Sequence, residues 1–291
     1  MRTNRYVGTK YIYKWISHDE IRKQQRDKQK RPTKEMKKSK DYDPGLRTAI
    51  LIVGDPGTRK TSLCLQFPKP YIFDADNNLA GPSRAYPDAK FSFDNGHVAS
   101  EDWVDKKLGV DYKEGDPIKA EHRYLWMAKC LNEASSSDEI ETIVVDSLTS
   151  VSEFVMSEIK RQERMKDDAT MRIQDWGKYA YLLKNLVVQL KTTEKLVVFT
   201  AHNIIDKDES DGRFKTFLAV PGQCKHTLAG LFNDVWCNYL KQSGVGAQQK
   251  HEWRIRTLPN GDNDHRGLKQ SLGLDKTFEW GSGPIIERLK K

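Results

Sequence analysis

Residues 50–62 read ILIVGDPGTRKTS: an apolar, β-branched run that ends in Gly54 and continues through Gly57 to Lys60-Thr61. This stretch constrains the fold more than any other, because it needs a strand before it and a helix after it. Glycines let the backbone curl so that successive N–H groups point inward at a phosphate, and the helix that follows presents an N-terminus that favours anions. The spacing matches G-x-x-x-x-G-K-[ST] with one departure, Arg59 in place of the second required glycine. Gly54, Asp55, Pro56, Gly57, Thr58, Arg59, Lys60, Thr61 and Ser62 are therefore the expected nucleotide cradle. Lys60 would reach the β- and γ-phosphates of ATP, and the Thr61 hydroxyl would hold Mg²⁺. An ordinary glycine turn is the weaker alternative, since Ser62-Leu63-Cys64-Leu65-Gln66-Phe67 supplies the amphipathic start of the required helix.

Elsewhere the chain alternates strand and helix. Strands are expected at 48–53, 70–74, 142–146 and 195–201, and helices near 60–67, 120–133, 147–163 and 175–193. That alternation predicts an α/β protein with a mainly parallel sheet flanked by helices. After residue 215, Lys215–Val220, Asn233–Lys241 and His251–Leu258 alternate as antiparallel strands do, and Ser243-Gly244-Val245-Gly246 reads as a hairpin connection.

The charge is unevenly spread. Of 49 Lys/Arg and 41 Asp/Glu, residues 1–47 hold 15 and 6, so a net charge of +8 is an N-terminal property. Residues 1–46 are expected to form a basic arm, with Asp43-Pro44-Gly45 marking the boundary of a core over 47–291. Such an arm suits a polyanion, nucleic acid above all; a solvated extension is the alternative. Within it, Tyr11-Ile12-Tyr13-Lys14-Trp15-Ile16 is aromatic and β-prone, and Ser17-x-x-Glu20 resembles a capping box opening a polar helix. The chain opens with no secretory signal and holds no run of membrane-span length. Its four cysteines are scattered without metal spacing, so thiols of a reducing compartment are expected.

Three further strand ends carry candidate chemistry. Thr142-Ile143-Val144-Val145-Asp146 ends in an acid that would hold Mg²⁺ from beside the loop, although Asp146-Ser147 also suits a helix cap. Tyr71-Ile72-Phe73-Asp74-Ala75-Asp76 ends in two acids, either able to deprotonate a water. Val197-Val198-Phe199-Thr200-Ala201-His202 ends in a polar pair placed to sense a γ-phosphate. In a parallel sheet all of these ends converge on one crevice.

The succession GDPGTRKTS, YIFDADNNLAG, TIVVDSLTSV, DWGKYAYLLKNLVVQL and LVVFTAHN resembles the RecA-like core, most closely the RecA-like branch of phage Sak single-strand annealing proteins, over about residues 48–275. The resemblance implies an ATP-dependent, single-stranded-DNA-binding recombinase that works with a single-strand-binding protein in the cytoplasm of a phage-infected bacterium. It implies Asp76 as the water-activating acid and His202 as the γ-phosphate sensor. Lys269 would reach a neighbour's ATP, an exposed surface lysine being the other reading of that residue. Lys160, Arg161, Arg164, Lys166 and Arg172 would form a basic first DNA-binding loop, whereas Asn203–Lys215 matches the second loop but is rich in acids. The resemblance further implies a ring or filament of copies, with Tyr11–Ile16 as the candidate segment passed to the next subunit's sheet edge, the alternative being that this segment folds back onto its own domain. The rival readings are an AAA-type helicase loader or remodeller, which needs a helical lid after the sensor strand, and a DNA-binding scaffold in which Arg59 has cost the ATPase. A small-molecule kinase has no support from a lid or acceptor pocket.

Overall fold

The computed structural model describes residues 48–207, 212, 214–244, 249–258, 268–269 and 277–279. The basic arm and Tyr11–Ile16 lie outside the described residues, as do Val245 and Gly246 of the Ser243–Gly246 connection.

The strands are β1 (Ala49–Val53), β2 (Pro70–Asp74), β3 (Ser92–Asn95), β4 (Trp103–Asp105), β5 (Val110–Tyr112), β6 (Thr142–Asp146), β7 (Leu196–Ala201), β8 (Asn203–Lys207), β9 (Phe214–Leu218), β10 (Asp234–Ser243), β11 (Lys250–Arg256) and β12 (Thr277–Glu279). The helices are α1 (Lys60–Cys64), α2 (Ala80–Ala85), α3 (Arg123–Ser136), α4 (Leu148–Gln162), α5 (Ile173–Leu190) and α6 (Cys224–Thr227). Among the described residues eight strands form one sheet in the order β12-β11-β10-β1-β7-β6-β2-β3. The six from β10 to β3 are parallel, and β11 and β12 extend the sheet by antiparallel pairing. This is an α/β, RecA-like arrangement with an antiparallel C-terminal extension.

The central strands are apolar because both faces are covered. Every residue of β1 is buried, and its side chains alternate between two cores. Leu51 and Val53 face one core with Trp126, Phe154, Tyr179 and Leu183 from α3, α4 and α5. Ile50 and Ile52 face the other with Leu63 and Cys64 of α1 and Trp236 of β10. Each such side chain contributes roughly 1.5–3 kcal/mol by leaving water. All four cysteines are buried thiols. Among the described residues no helix is long and apolar enough to cross a membrane.

β7 lies between β1 and the acid strand β6. Asn233–Lys241 belongs to a strand that runs parallel to β1 and is antiparallel only to β11. Phe214–Leu218 pairs with neither; it forms a separate antiparallel ribbon with β8. The expected second DNA loop, 203–215, is therefore largely the two strands of that ribbon. Alternation of polar and apolar residues marks a strand but does not name its partner.

Candidate functional site

β1, β7, β6 and β2 all end on the same edge of the sheet, and the loop 54–59 leaves β1 there. Gly54 is required by close approach: a Cβ on it would lie 2.4 Å from the Asn238 carbonyl oxygen and 2.6 Å from Thr58 Oγ1. Gly57 is required by backbone conformation, with φ +80 and open space where a side chain would stand. Arg59 also adopts the left-handed conformation, φ 62 and ψ 32, directly before α1. The position that departs from the glycine motif thus keeps the glycine geometry. Its guanidinium turns onto the ring of Trp253, 3.6 Å from the centroid.

Lys60 is buried and curls back along the loop, donating to the carbonyls of Gly54 at 2.9 Å and Asp55 at 3.0 Å. Burial pulls its pKa down, against the opposing pull of Asp146, Asp76 and Asp55. One residue on, the Thr61 hydroxyl donates to Asp146 Oδ2 at 2.6 Å. Thr200, at the end of β7, donates to the other oxygen, Oδ1. This explains how an acid on a strand one removed from β1 still meets α1: Thr61 reaches over β7, and Thr200 supports the carboxylate from β7 itself. Burial pushes Asp146 up to about 6, although both hydroxyls pull it down; Asp76 and Asp74 add to the rise.

Asp76 faces Asp146 across the crevice. Its Oδ1 accepts from the Ser147 N–H at 3.2 Å and the Ser147 hydroxyl at 2.7 Å. Its Oδ2 lies 3.3 Å from His202 Nε2. Burial would raise this acid, yet hydrogen bonds from His202, Ser150 and Ser147 hold it at about 2. The other ring nitrogen of His202, Nδ1, lies 3.3 Å from Lys60 Nζ. Lysine can only donate and a carboxylate only accept, so the ring with hydrogen on Nε2 satisfies both contacts. The backbone N–H of His202 donates to Thr149 Oγ1 at 3.0 Å, which fixes the base of the side chain.

Lys60, Thr61, Asp76, Asp146 and His202 therefore meet in one crevice. Asp74, the last residue of β2, does not join them. Both oxygens of Asp74 accept from the Asn78 N–H at 3.0 Å, and one accepts from Leu79 at 3.1 Å, so it caps the turn leading to α2. Lys269 is also not among these groups. It bridges Val235 near the start of β10, with its amine 3.3 Å from the Gly230 carbonyl.

The five basic residues of the expected first DNA loop divide in two. Arg161 forms a double hydrogen bond at 2.8 Å with Glu158, which is fully buried. Arg172 is held by Asp175 at 2.7 Å and Glu163 at 2.8 Å. Lys160 donates to the Asp167 carbonyl, while Arg164 and Lys166 are exposed. The two arginines with carboxylate partners are committed within the fold.

Two contributors have no signal in the local sequence. Asn238, buried on β10, donates from Nδ2 to the Thr58 carbonyl at 3.3 Å and so supports the loop from beneath. Trp253 on β11 covers it from above. Neither sits in a local motif; each acts through a strand pairing far along the chain.

A family model described as an AAA domain matches residues 47–236. Among solved structures the chain is similar to the crystal structure of the flagellar accessory protein FlaH from Methanocaldococcus jannaschii, at 11% identity. That match covers 80% of this chain and 84% of the other, with a TM-score of 0.35. No curated protein matches the chain.

Proposed function

Because the chain belongs to the AAA-domain family, whose model covers residues 47–236, we propose that its phosphate-loop ATPase domain hydrolyses ATP with Mg²⁺ and uses that cycle on single-stranded DNA. The observation that carries the hydrolytic reading is the His202 ring held between Lys60 and Asp76, at 3.3 Å from each. A structural histidine would need one partner; this one links the residue of the phosphate loop to a carboxylate that has no capping duty.

The residues present fit both groups. The loop holds an ammonium among its own carbonyls, and a hydroxyl and a carboxylate stand 2.6 Å apart in a buried, acid-rich position. Thr61 and Asp146 would hold Mg²⁺, which when bound would neutralise charge on the β- and γ-phosphates. Lys60 and the N–H groups of the loop bind and orient the triphosphate. Asp76, fixed by Ser147, receives the proton of the attacking water. His202 donates to Asp76 and touches Lys60, so a change at the phosphates reaches the base through one ring. A carboxylate held near 2 is a weak base, and removal of the His202 hydrogen bond would strengthen it.

The DNA reading is supported by the resemblance to single-strand annealing proteins, by the nine-charge surplus of residues 1–47 and by the exposed Arg164 and Lys166. The segment 203–215, in which Asp206, Asp208, Glu209 and Asp211 outnumber Lys207, Arg213 and Lys215, does not add to it. Nucleotide turnover measured with and without single-stranded DNA tests the proposal in full. No turnover under either condition would leave a nucleotide-binding scaffold, and turnover indifferent to single-stranded DNA would turn the reading toward a remodeller acting on protein.

A further inference from the structure

The phosphate loop holds two residues in the left-handed conformation, Gly57 at φ +80 and Arg59 at φ 62. Glycine adopts this region freely, whereas an L-residue such as arginine does so only when its surroundings hold it there. One side chain touches both positions. Trp253 Nε1 donates to the Gly57 carbonyl at 3.4 Å, and its ring carries the Arg59 guanidinium at 3.6 Å.

Strand register explains how it gets there. β1 ends at Val53, opposite Cys237, while β10 continues past that point to Ser243. Trp253 lies opposite Leu240, three residues beyond the last β1 partner, and so projects at the level of the loop. It also lies outside the span 47–236 matched by the family model.

We propose that Trp253 is a positioning residue of the nucleotide site. It holds Arg59 in the glycine-like conformation with its side chain turned outward, which keeps the cradle open in a loop that lacks its second glycine. The proposal rests on the reading of this loop as a nucleotide site. It explains the departure at position 59 by a compensation supplied from a distant strand: a cation–π interaction selects the direction of the side chain, and the indole N–H fixes the adjoining peptide.

The test is a double-mutant cycle on the full chain, reading the affinity for a fluorescent ATP analogue with Mg²⁺ and the steady-state KM and kcat. Trp253→Ala is expected to weaken binding about tenfold, to raise KM and to leave kcat within about twofold. Trp253→Phe, which keeps the ring face, is expected to weaken binding about threefold. Arg59→Gly should bind as well as the parent or better, because glycine needs no clamp, and in that background Trp253→Ala should cost less than about twofold. Melting curves without nucleotide separate folding from binding. Should Trp253→Ala not fold, Trp253→Leu carries the same comparison, since it keeps bulk but has neither π face nor N–H. An equal effect in both backgrounds would overturn the proposal by making Trp253 a support of β11 alone. A large drop in affinity from Arg59→Gly by itself would overturn it too, by making Arg59 a phosphate ligand. If the parent chain binds no nucleotide, the reading of the site fails first, and that outcome is distinct from either.

Discussion

The imidazole of His202 stands 3.3 Å from the carboxylate of Asp76, although the two residues follow the ends of different strands and lie 126 positions apart in the chain. A pairing this remote persists only because both strand ends open on the same edge of the sheet. It joins a donor that also touches the phosphate-loop lysine to an acid whose other oxygen is fixed by Ser147.

From this pairing, Asp76→Asn is expected to lower kcat at least about a hundredfold, the usual range when a general base is removed. Nucleotide affinity should change little, because the amide keeps an oxygen for Ser147 and the phosphate-facing residues are untouched. Stopped-flow binding beside a phosphate-release assay checks both. Unaltered turnover would remove Asp76 as the base. Asp74 would not then inherit the role, since its oxygens are occupied by the Asn78 and Leu79 N–H groups.

Asp146 yields a prediction of opposite sign for stability and function. Its pKa rises from 3.8 in the unfolded chain to about 6 in the fold, so the folded state prefers the protonated acid. Stability from this group is present below pH 3.8 and is lost as pH rises through 6. Asp146→Asn should accordingly stabilise the nucleotide-free protein at about pH 7.5 by about 1–3 kcal/mol, with the gain fading by about pH 4. The same change should abolish Mg²⁺-dependent hydrolysis. Melting curves across that pH range, without nucleotide, check the first claim. A destabilised variant near neutral pH would mean that the hydroxyls of Thr61 and Thr200 outweigh the cost of burial.

Much of this crevice is legible in the sequence because its parts are local. A glycine-rich turn after an apolar strand, and an acid or histidine closing each later strand, are patterns within a few residues of one another. A parallel sheet brings such ends together without further instruction. The features that escape a sequence reading depend on pairing across the chain. The glycine turn at Ser243–Gly246 points to β11 lying beside β10, but nothing around Trp253 says that this pair will lie beside β1 and over the loop. Similarly, a basic run from Lys160 to Arg172 does not say which members will be claimed by the buried carboxylates of Glu158 and Asp175. Acids on the neighbouring helical turns decide that, and a charge count cannot see them.

The two loop glycines should fail in different ways. A Cβ at Gly54 meets the Asn238 backbone oxygen at 2.4 Å, a clash that no side-chain rotation relieves. Gly54→Ala should displace β10 from the loop and reduce both stability and nucleotide binding severely. At Gly57 there is room, and only the left-handed backbone opposes a side chain, at a cost of about 1–2 kcal/mol. Gly57→Ala should therefore fold and bind more weakly, while Gly57→Asn, which tolerates this conformation better, should recover part of the deficit. Thermal melts with and without ATP distinguish the two positions, and equal damage at both would contradict the geometry.

The basic residues after α4 separate a DNA role from a structural one. Arg161→Ala leaves the buried Glu158 with a hydrogen bond from Gln162 but without its counter-charge, so it should cost about 3–5 kcal/mol of stability whatever the protein binds. Arg164 and Lys166 are exposed, and replacing both with alanine should leave the melting temperature nearly unchanged. If these two meet phosphates, single-stranded DNA affinity should fall and the salt dependence of binding should flatten by about 0.7 for each phosphate that is no longer neutralised. Removing residues 1–46 should flatten it further, in keeping with the charge surplus of that segment. Fluorescence anisotropy of a labelled oligonucleotide across a salt series measures each slope. Parallel slopes for the parent, the double variant and the truncated chain would show that neither segment touches DNA, and the nucleotide site would then need a different polymer or partner to act upon.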